Sequence, residues 1–329
     1  MKLKNLWLFV VVIVMLGMAG TDAYSNDVVI EKTFNVKKGQ ELMVRSDLGF
    51  VEVTTWGKDK VDVVIENRAK GLRKKDVDYI LDKMEFRVEK TGSGVDVIAE
   101  YKGSKWMNNW SHGISLHFII KVPKKFDLDV LTAGGGIKVA DIDGKVHLKT
   151  SGGPIWMGYI DGEVFARSSG GGISLDGASA NVDIETSGGG ITIGETKGKV
   201  HAHTSGGGVT VDGASGNTEV STSGGGITLK NIEGNIQAHT SGGGIHAEFV
   251  GDIDSDCELK TSGGGIKVLL KSDIAIDIDA TTSGGSVHTD FPVNVQGKLK
   301  SNKLYGKING GGPLLTLRTS GGNIYINEL

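Results

Sequence analysis

"EVSTSGGGITLKNIEGNIQAHTSGGGI" (residues 219–245) carries the pentapeptide T-S-G-G-G twice, 18 residues apart. Three consecutive glycines cost roughly 0.5–1 kcal/mol each relative to alanine inside regular structure, so their recurrence needs a structural reason. With the serine of the phrase as position 0, the pattern returns at Ser151, Ser169, Ser187, Ser205, Ser223 and Ser241, always 18 residues on, and Ala133 holds the same place one period earlier. Ser262 and Ser283 follow at spacings of 21, and Ser320 closes the series. A fixed period of this size is the mark of a solenoid or a related array.

The apolar residues within each period give the direction of each segment. At +4 and +6 stand Ile173 and Leu175, Ile191 and Ile193, Val209 and Val211, Ile227 and Leu229. At −5 and −3 stand Val146 and Leu148, Val182 and Ile184, Val200 and Ala202, Ile236 and Ala238. Alternation of period two marks strands with one buried face. The parity flips inside T-S-G-G-G, which makes that phrase a corner. A second flip lies near +11, where Gly144, Gly162, Gly198, Gly216 and Gly234 recur, with Ala180 the exception. Each period is therefore two short strands and two corners, one rung of a parallel β-solenoid whose rungs stack at ~4.8 Å. At the corners glycine supplies positive φ, close approach to the neighbouring rung, or both. The threonine at −1 reads as a stacked column that hydrogen-bonds along itself.

Three segments follow from this pattern: 1–23, 24–131 and 132–329, the last being the solenoid. Residues 1–23 read as a secretory signal, with Lys2 and Lys4 ahead of "LWLFVVVIVMLGMAG" and small residues before Tyr24. Residues 24–131 alternate like strands without the glycine period, with a short helix over 73–83, and read as a β-rich cap over the first open edge. The fold class is thus all-β, a parallel β-solenoid of ~18-residue turns behind an N-terminal cap. No apolar run after the signal approaches the ~20 residues of a membrane span, so the expectation is an exported chain, periplasmic or secreted to the cell surface.

The chain has 329 residues with 52 glycines, 4 prolines and a formal charge of −3. Such a charge without a long basic run excludes nucleic acid as a partner. The single cysteine, Cys257, excludes an internal disulfide and, at an inward −5 position, reads as core.

The segment "KVPKKFDLDVLTAGGGIKVADIDGKVHLKTSGGPI" (121–155), followed by S-G-G-G corners, resembles the bacterial putative-adhesin family. The resemblance covers most of the mature chain and implies an exported protein of glycine-punctuated β-repeats. It rests on an architectural pattern and brings no functional residues with it.

Several side-chain sets bear on chemistry. Trp106 and Trp110 in "KWMNNW", with Trp156 and Tyr159 pointing outward from an early rung, form the candidate ligand-binding cluster, since aromatic platforms stack on sugars and anchor interfaces. Packing of the cap against that rung is the structural alternative for the same residues. Lys149, Arg167 and Glu185 share an outward column, which reads as a solvated face rather than a catalytic set. His201, His203 and His239 read as exposed strand histidines. The 21-residue rungs align "DIDSDCE" (252–258) with "DIAIDID" (273–279), stacking Asp252 on Asp273 and Asp256 on Asp277. Such oxygen-rich pairs suit Ca²⁺, with an acidic edge relieved by Lys260 and Lys271 as the alternative. No catalytic residue and no cofactor is expected. The functional expectation is a non-enzymatic envelope or secreted solenoid that presents a repetitive surface for adhesion to a protein or glycan at the cell surface. A carbohydrate-binding or carbohydrate-cleaving β-helix and a purely structural envelope protein are the other readings.

Overall fold

The structure, a computed structural model, describes residues 25–69, 73–103, 114–295 and 300–329. Residues 1–23, read from the sequence as a secretory signal, and the tryptophans Trp106 and Trp110 lie outside the described residues.

Two long sheets face one another across a single apolar core. Sheet A collects the strands that follow each S-G-G-G corner, such as Ile173–Ala178, Ile191–Thr196 and Val209–Ala214. Sheet B collects those that precede it, such as Val182–Thr186, Val200–Thr204 and Thr218–Thr222. Neighbouring strands are parallel with a register of 18, as in Ile173↔Ile191 and Val182↔Val200. The residues at +4, +6, −5 and −3 are almost all buried, so the alternation in the sequence is the alternation of the core.

The glycine columns are required by close approach, not by φ. The only described glycines with left-handed φ are Gly39, Gly49, Gly310 and Gly311, none of them in an S-G-G-G phrase. A Cβ on the +2 glycines, such as Gly171, Gly189, Gly207 or Gly225, would lie 2.2–2.4 Å from a backbone atom of the preceding rung. The −1 hydroxyls complete the corner. Thr186, Thr204, Thr222 and Thr240 each donate Oγ1 to the carbonyl of a +2 glycine one rung back, at 2.6–2.7 Å. The threonine column thus hydrogen-bonds to the glycine corner, and the expectation of bonding along itself is corrected. A buried hydroxyl satisfies a buried carbonyl, each of which unpaired costs about 1–3 kcal/mol.

Both ends of the stack depart from chain order. Residues 41–56 form a rung with only one corner glycine, Gly49: Leu42 and Val44 take −5 and −3, and Val51 and Val53 take +4 and +6. In space this rung sits between the strand pair Gly94–Tyr101 with Ile114–Pro123 and the rung that begins at Asp127–Thr132. The strand Asp127–Thr132 runs through the sequence boundary at 131 and pairs with both neighbours. Beyond these, Ser25–Asn35 and Lys60–Ala69 extend sheet A, and Met84–Lys90 extends sheet B, all antiparallel. The helix Lys74–Leu81 links them.

At the far end, the last rung in sequence is not the last in space. Leu314–Thr319 slots between Cys257–Thr261 and Ile276–Thr282, and Ile324–Glu328 between Ile266–Leu270 and Val287–Thr289. Lys303–Ile308 then pairs antiparallel with Ile276–Thr282, and Asn294–Val295 pairs antiparallel beyond it at the edge of sheet B. None of the helices among the described residues is long and apolar enough to cross a membrane.

Candidate functional site

The outward side of sheet A is built by the +3 and +5 columns. At +3, six successive rungs place Gly172, Gly190, Gly208, Gly226, Gly244 and Gly265, so a trough without side chains runs along the face. It ends where +3 is no longer glycine, at Pro154 on one side and Asn323 on the other. Those same two rungs carry an aromatic at +5, Trp156 and Tyr325, exposed by 45% and 40%. The strands bearing them are seven steps apart in sheet A, ~34 Å by strand spacing. Between them the +5 column reads Ser174, Thr192, Thr210, Thr228, His246 and Lys267.

Trp156 is flanked by Phe50, with ring centroids 6.3 Å apart. Phe50 also packs on His117, centroids 5.4 Å apart, and burial, seconded by the charge of Arg68, holds the His117 pKa below its ordinary value. Tyr159 points outward from the same strand as Trp156 and lies across Gly177 of the next rung. Of the aromatic cluster expected from the sequence, the structure therefore places Trp156 and Tyr159 on one exposed strand. Tyr325 was not among the expected residues. Its signal was in the sequence, since Tyr325 stands at +5 of the Ser320 phrase as Trp156 does of the Ser151 phrase.

The outward side of sheet B carries a polar ladder. Arg167 Nη2 lies 3.0 Å from both Asp183 Oδ1 and Glu185 Oε1, and His201 Nδ1 lies 2.8 Å from Asp183 Oδ1. Asp183, Glu185 and His201 offer ligand atoms within 4.8 Å of one another. Both carboxylates face the Arg167 guanidinium, so the column read from the sequence as a solvated face carries ion pairs at Arg167. His203 Nδ1 pairs with Ser221 Oγ at 2.7 Å, one rung on.

The acidic 21-residue rungs do not stack as expected. Because Leu314–Thr319 lies between them, Asp277 pairs in register with Leu314, and Cys257 with Leu315. Asp256 Oδ1 accepts from the Leu314 amide at 2.9 Å, and Asp277 Oδ1 from the Gly312 amide at 3.1 Å. Asp252 and Asp273 are joined by Lys271, 3.1 and 4.0 Å away. The direct stacking of Asp256 on Asp277 is thereby corrected. Asp256 and Asp277 anchor the intercalated rung, a role that the 21-residue spacing alone does not reveal.

Fold and face together define a parallel β-solenoid with aromatic-ended, glycine-floored outer relief. The chain belongs to the Toastrack DUF4097 family, whose profile matches residues 55–327. The sequence has no match among curated proteins. Among solved structures it is similar to a putative cell adhesion protein of Clostridium sporogenes, at 12% identity, covering 91% of this chain and 99% of that one, with a TM-score of 0.20. It is similar as well to a putative adhesin of Bacteroides fragilis, at 14% identity over 93% and 98% of the two chains, with a TM-score of 0.33. A putative lipid binding protein of Parabacteroides distasonis shares 11% identity over 93% and 98%, with a TM-score of 0.36.

Proposed function

We propose that this Toastrack-family chain is a non-enzymatic, exported adhesin-type scaffold, and that sheet A is the face with which it holds an elongated glycan at the cell surface. The observation that carries this reading is the trough of +3 glycines ended by Trp156 and Tyr325. An exposed indole and phenol held on rigid strands offer stacking surfaces at little entropic cost. Between them lie hydroxyls at a fixed spacing and no side chain on the floor, which suits a chain of sugars lying along the solenoid axis. Trp156 and Tyr159 form the ligand-stacking end. Trp106 and Trp110, which lie outside the described residues, are tested with Trp156.

The test is binding of the purified mature chain to a glycan array, beside a Trp156→Ala variant and a Trp106→Ala/Trp110→Ala/Trp156→Ala variant. Glycan binding that falls in these variants supports the reading. A folded wild type that binds no glycan refutes it and moves the role to protein partners or to envelope structure.

A further inference from the structure

The Tyr325 end of sheet A has a feature that the 18-residue period does not generate. We propose that the depression walled by Tyr325 and Asn323 and lined by Lys267, His246 and Thr228 binds a pyranose bearing a carboxylate, as an acidic unit of a glycan. This inference rests on the reading of sheet A as a glycan-binding face and names the chemistry at one end of it.

The depression is a shallow, solvent-open one of about 360 Å³ over a floor of Gly226, Gly244 and Gly265. Its wall is set before any ligand arrives. The Tyr325 ring stacks on His288, with centroids 5.0 Å apart and planes 13° from parallel. Its hydroxyl accepts from Asn323 Nδ2 at 3.0 Å, and Asn323 Oδ1 in turn accepts from the Ser286 amide at 2.9 Å. A ring held on two sides loses little freedom on binding, and its open side presents an apolar edge to a sugar.

Charge sets the ligand class. Lys267 stands in register between His246 and Tyr325. Two other lysines on this face are ion-paired, Lys138 with Glu52 at 2.9 Å and Lys230 with Asp212 at 3.0 Å. Among the described residues no carboxylate lies within ion-pair distance of Lys267. Glu248 is two residues beyond His246, outside the lining. Burial first, and the Lys267 charge second, hold the His246 pKa below its ordinary value, so at neutral pH His246 is an uncharged partner for hydroxyls. One free ammonium beside one aromatic wall matches the single charge of a sugar carboxylate, whereas a phosphate monoester would bring close to two charges to one lysine. Tyr325 reaches Lys267 only because Ile324–Glu328 is intercalated next to Ile266–Leu270.

The experiment is calorimetric titration of the full mature chain with a short oligogalacturonate and a short oligomannuronate, each beside its methyl ester. At least one acid form binds, and its ester binds about tenfold more weakly, the equivalent of one charge-assisted hydrogen bond. Tyr325→Ala and Lys267→Met each weaken the acid about tenfold. Thermal melts check each variant, and should Tyr325→Ala unfold, Lys267→Met decides. Equal binding of acid and ester, or wild-type affinity in Lys267→Met, overturns the inference. If neutral glycans bind through Trp156 while both acid oligomers fail, this inference falls and the face reading stands. If nothing binds, both fall.

Discussion

Placing a methyl group on a single corner glycine tests the account of the repeat directly. In Gly207→Ala the new Cβ would lie 2.4 Å from Gly190 N and 2.5 Å from both Gly189 C and Gly189 O. Carbon contacts settle at ~3.5–4.0 Å, so the rungs have to part locally by about 1 Å. Neither side yields easily, because every atom met belongs to backbone held in a ladder. Overpacking of this kind costs about 1–3 kcal/mol. The movement also strains the 2.7 Å bond from Thr222 Oγ1 to Gly207 O, adding about 1 kcal/mol, for a total of about 2–4 kcal/mol. Asparagine separates this mechanism from a conformational one. Were a left-handed φ the reason for glycine, Gly207→Asn would be tolerated much better than Gly207→Ala, since asparagine visits that region readily. Close approach makes the two equally damaging. Gly39 is the control, with φ +76° and nothing within 4 Å of where its Cβ would stand, and there asparagine is better than alanine. The assay is guanidinium unfolding, with hydrogen exchange on Val200–Thr204 and Ile227–Ile232 to localise the loss in a repeat protein. A Gly207→Ala variant within ~0.5 kcal/mol of wild type, or clear rescue by asparagine, refutes the reasoning.

Four further outcomes follow from the same geometry. Thr222→Val keeps the shape but leaves the Gly207 carbonyl unpaired, and denaturation should show a loss of about 1–3 kcal/mol, mostly recovered in Thr222→Ser. Intercalation of the last rung puts Glu258 beside Thr316 and Thr316 beside Asp279. In a Cys257→Ser background, the pair Glu258→Cys/Thr316→Cys should therefore cross-link on oxidation, while Glu258→Cys/Asp279→Cys, ~9.6 Å apart across two strands, should not. Burial pushes the Cys257 thiol from its ordinary 9.0 up to about 11. The folded state thus prefers the protonated form: its contribution is full below pH 9 and is lost as pH rises from 9 to 11, and a thiol reagent at pH 8 should label Cys257 only on unfolding. With Asp256 and Asp277 engaged by backbone amides and Lys271 between Asp252 and Asp273, added Ca²⁺ should leave the melting temperature where chelator leaves it.

Much of this protein was legible in its residues because a solenoid is nearly one-dimensional. The 18-residue period, the parity flips and the inward aliphatics are local facts, and each rung repeats the same local answer, so the core at Val182, Ile184, Ile191 and Ile193 follows without any knowledge of distant contacts. The Trp156 end of the outer face was readable for the same reason. The corner glycines could be recognised as necessary, but φ and close approach leave the same residue in the sequence, and only the distance to the neighbouring rung separates them. The two ends of the stack were beyond reach in a different way. Residues 41–56 and 314–329 each pair with partners far away in the chain, and a register of 21 between Cys257 and Ile278 is satisfied equally by direct stacking or by a further rung between them. Every rung offers the same apolar spacing and the same corner hydroxyl, so local pattern cannot choose its neighbour. That choice is made by the amides of Gly312 and Leu314 reaching Asp277 and Asp256, and it is what brings Tyr325 beside Lys267.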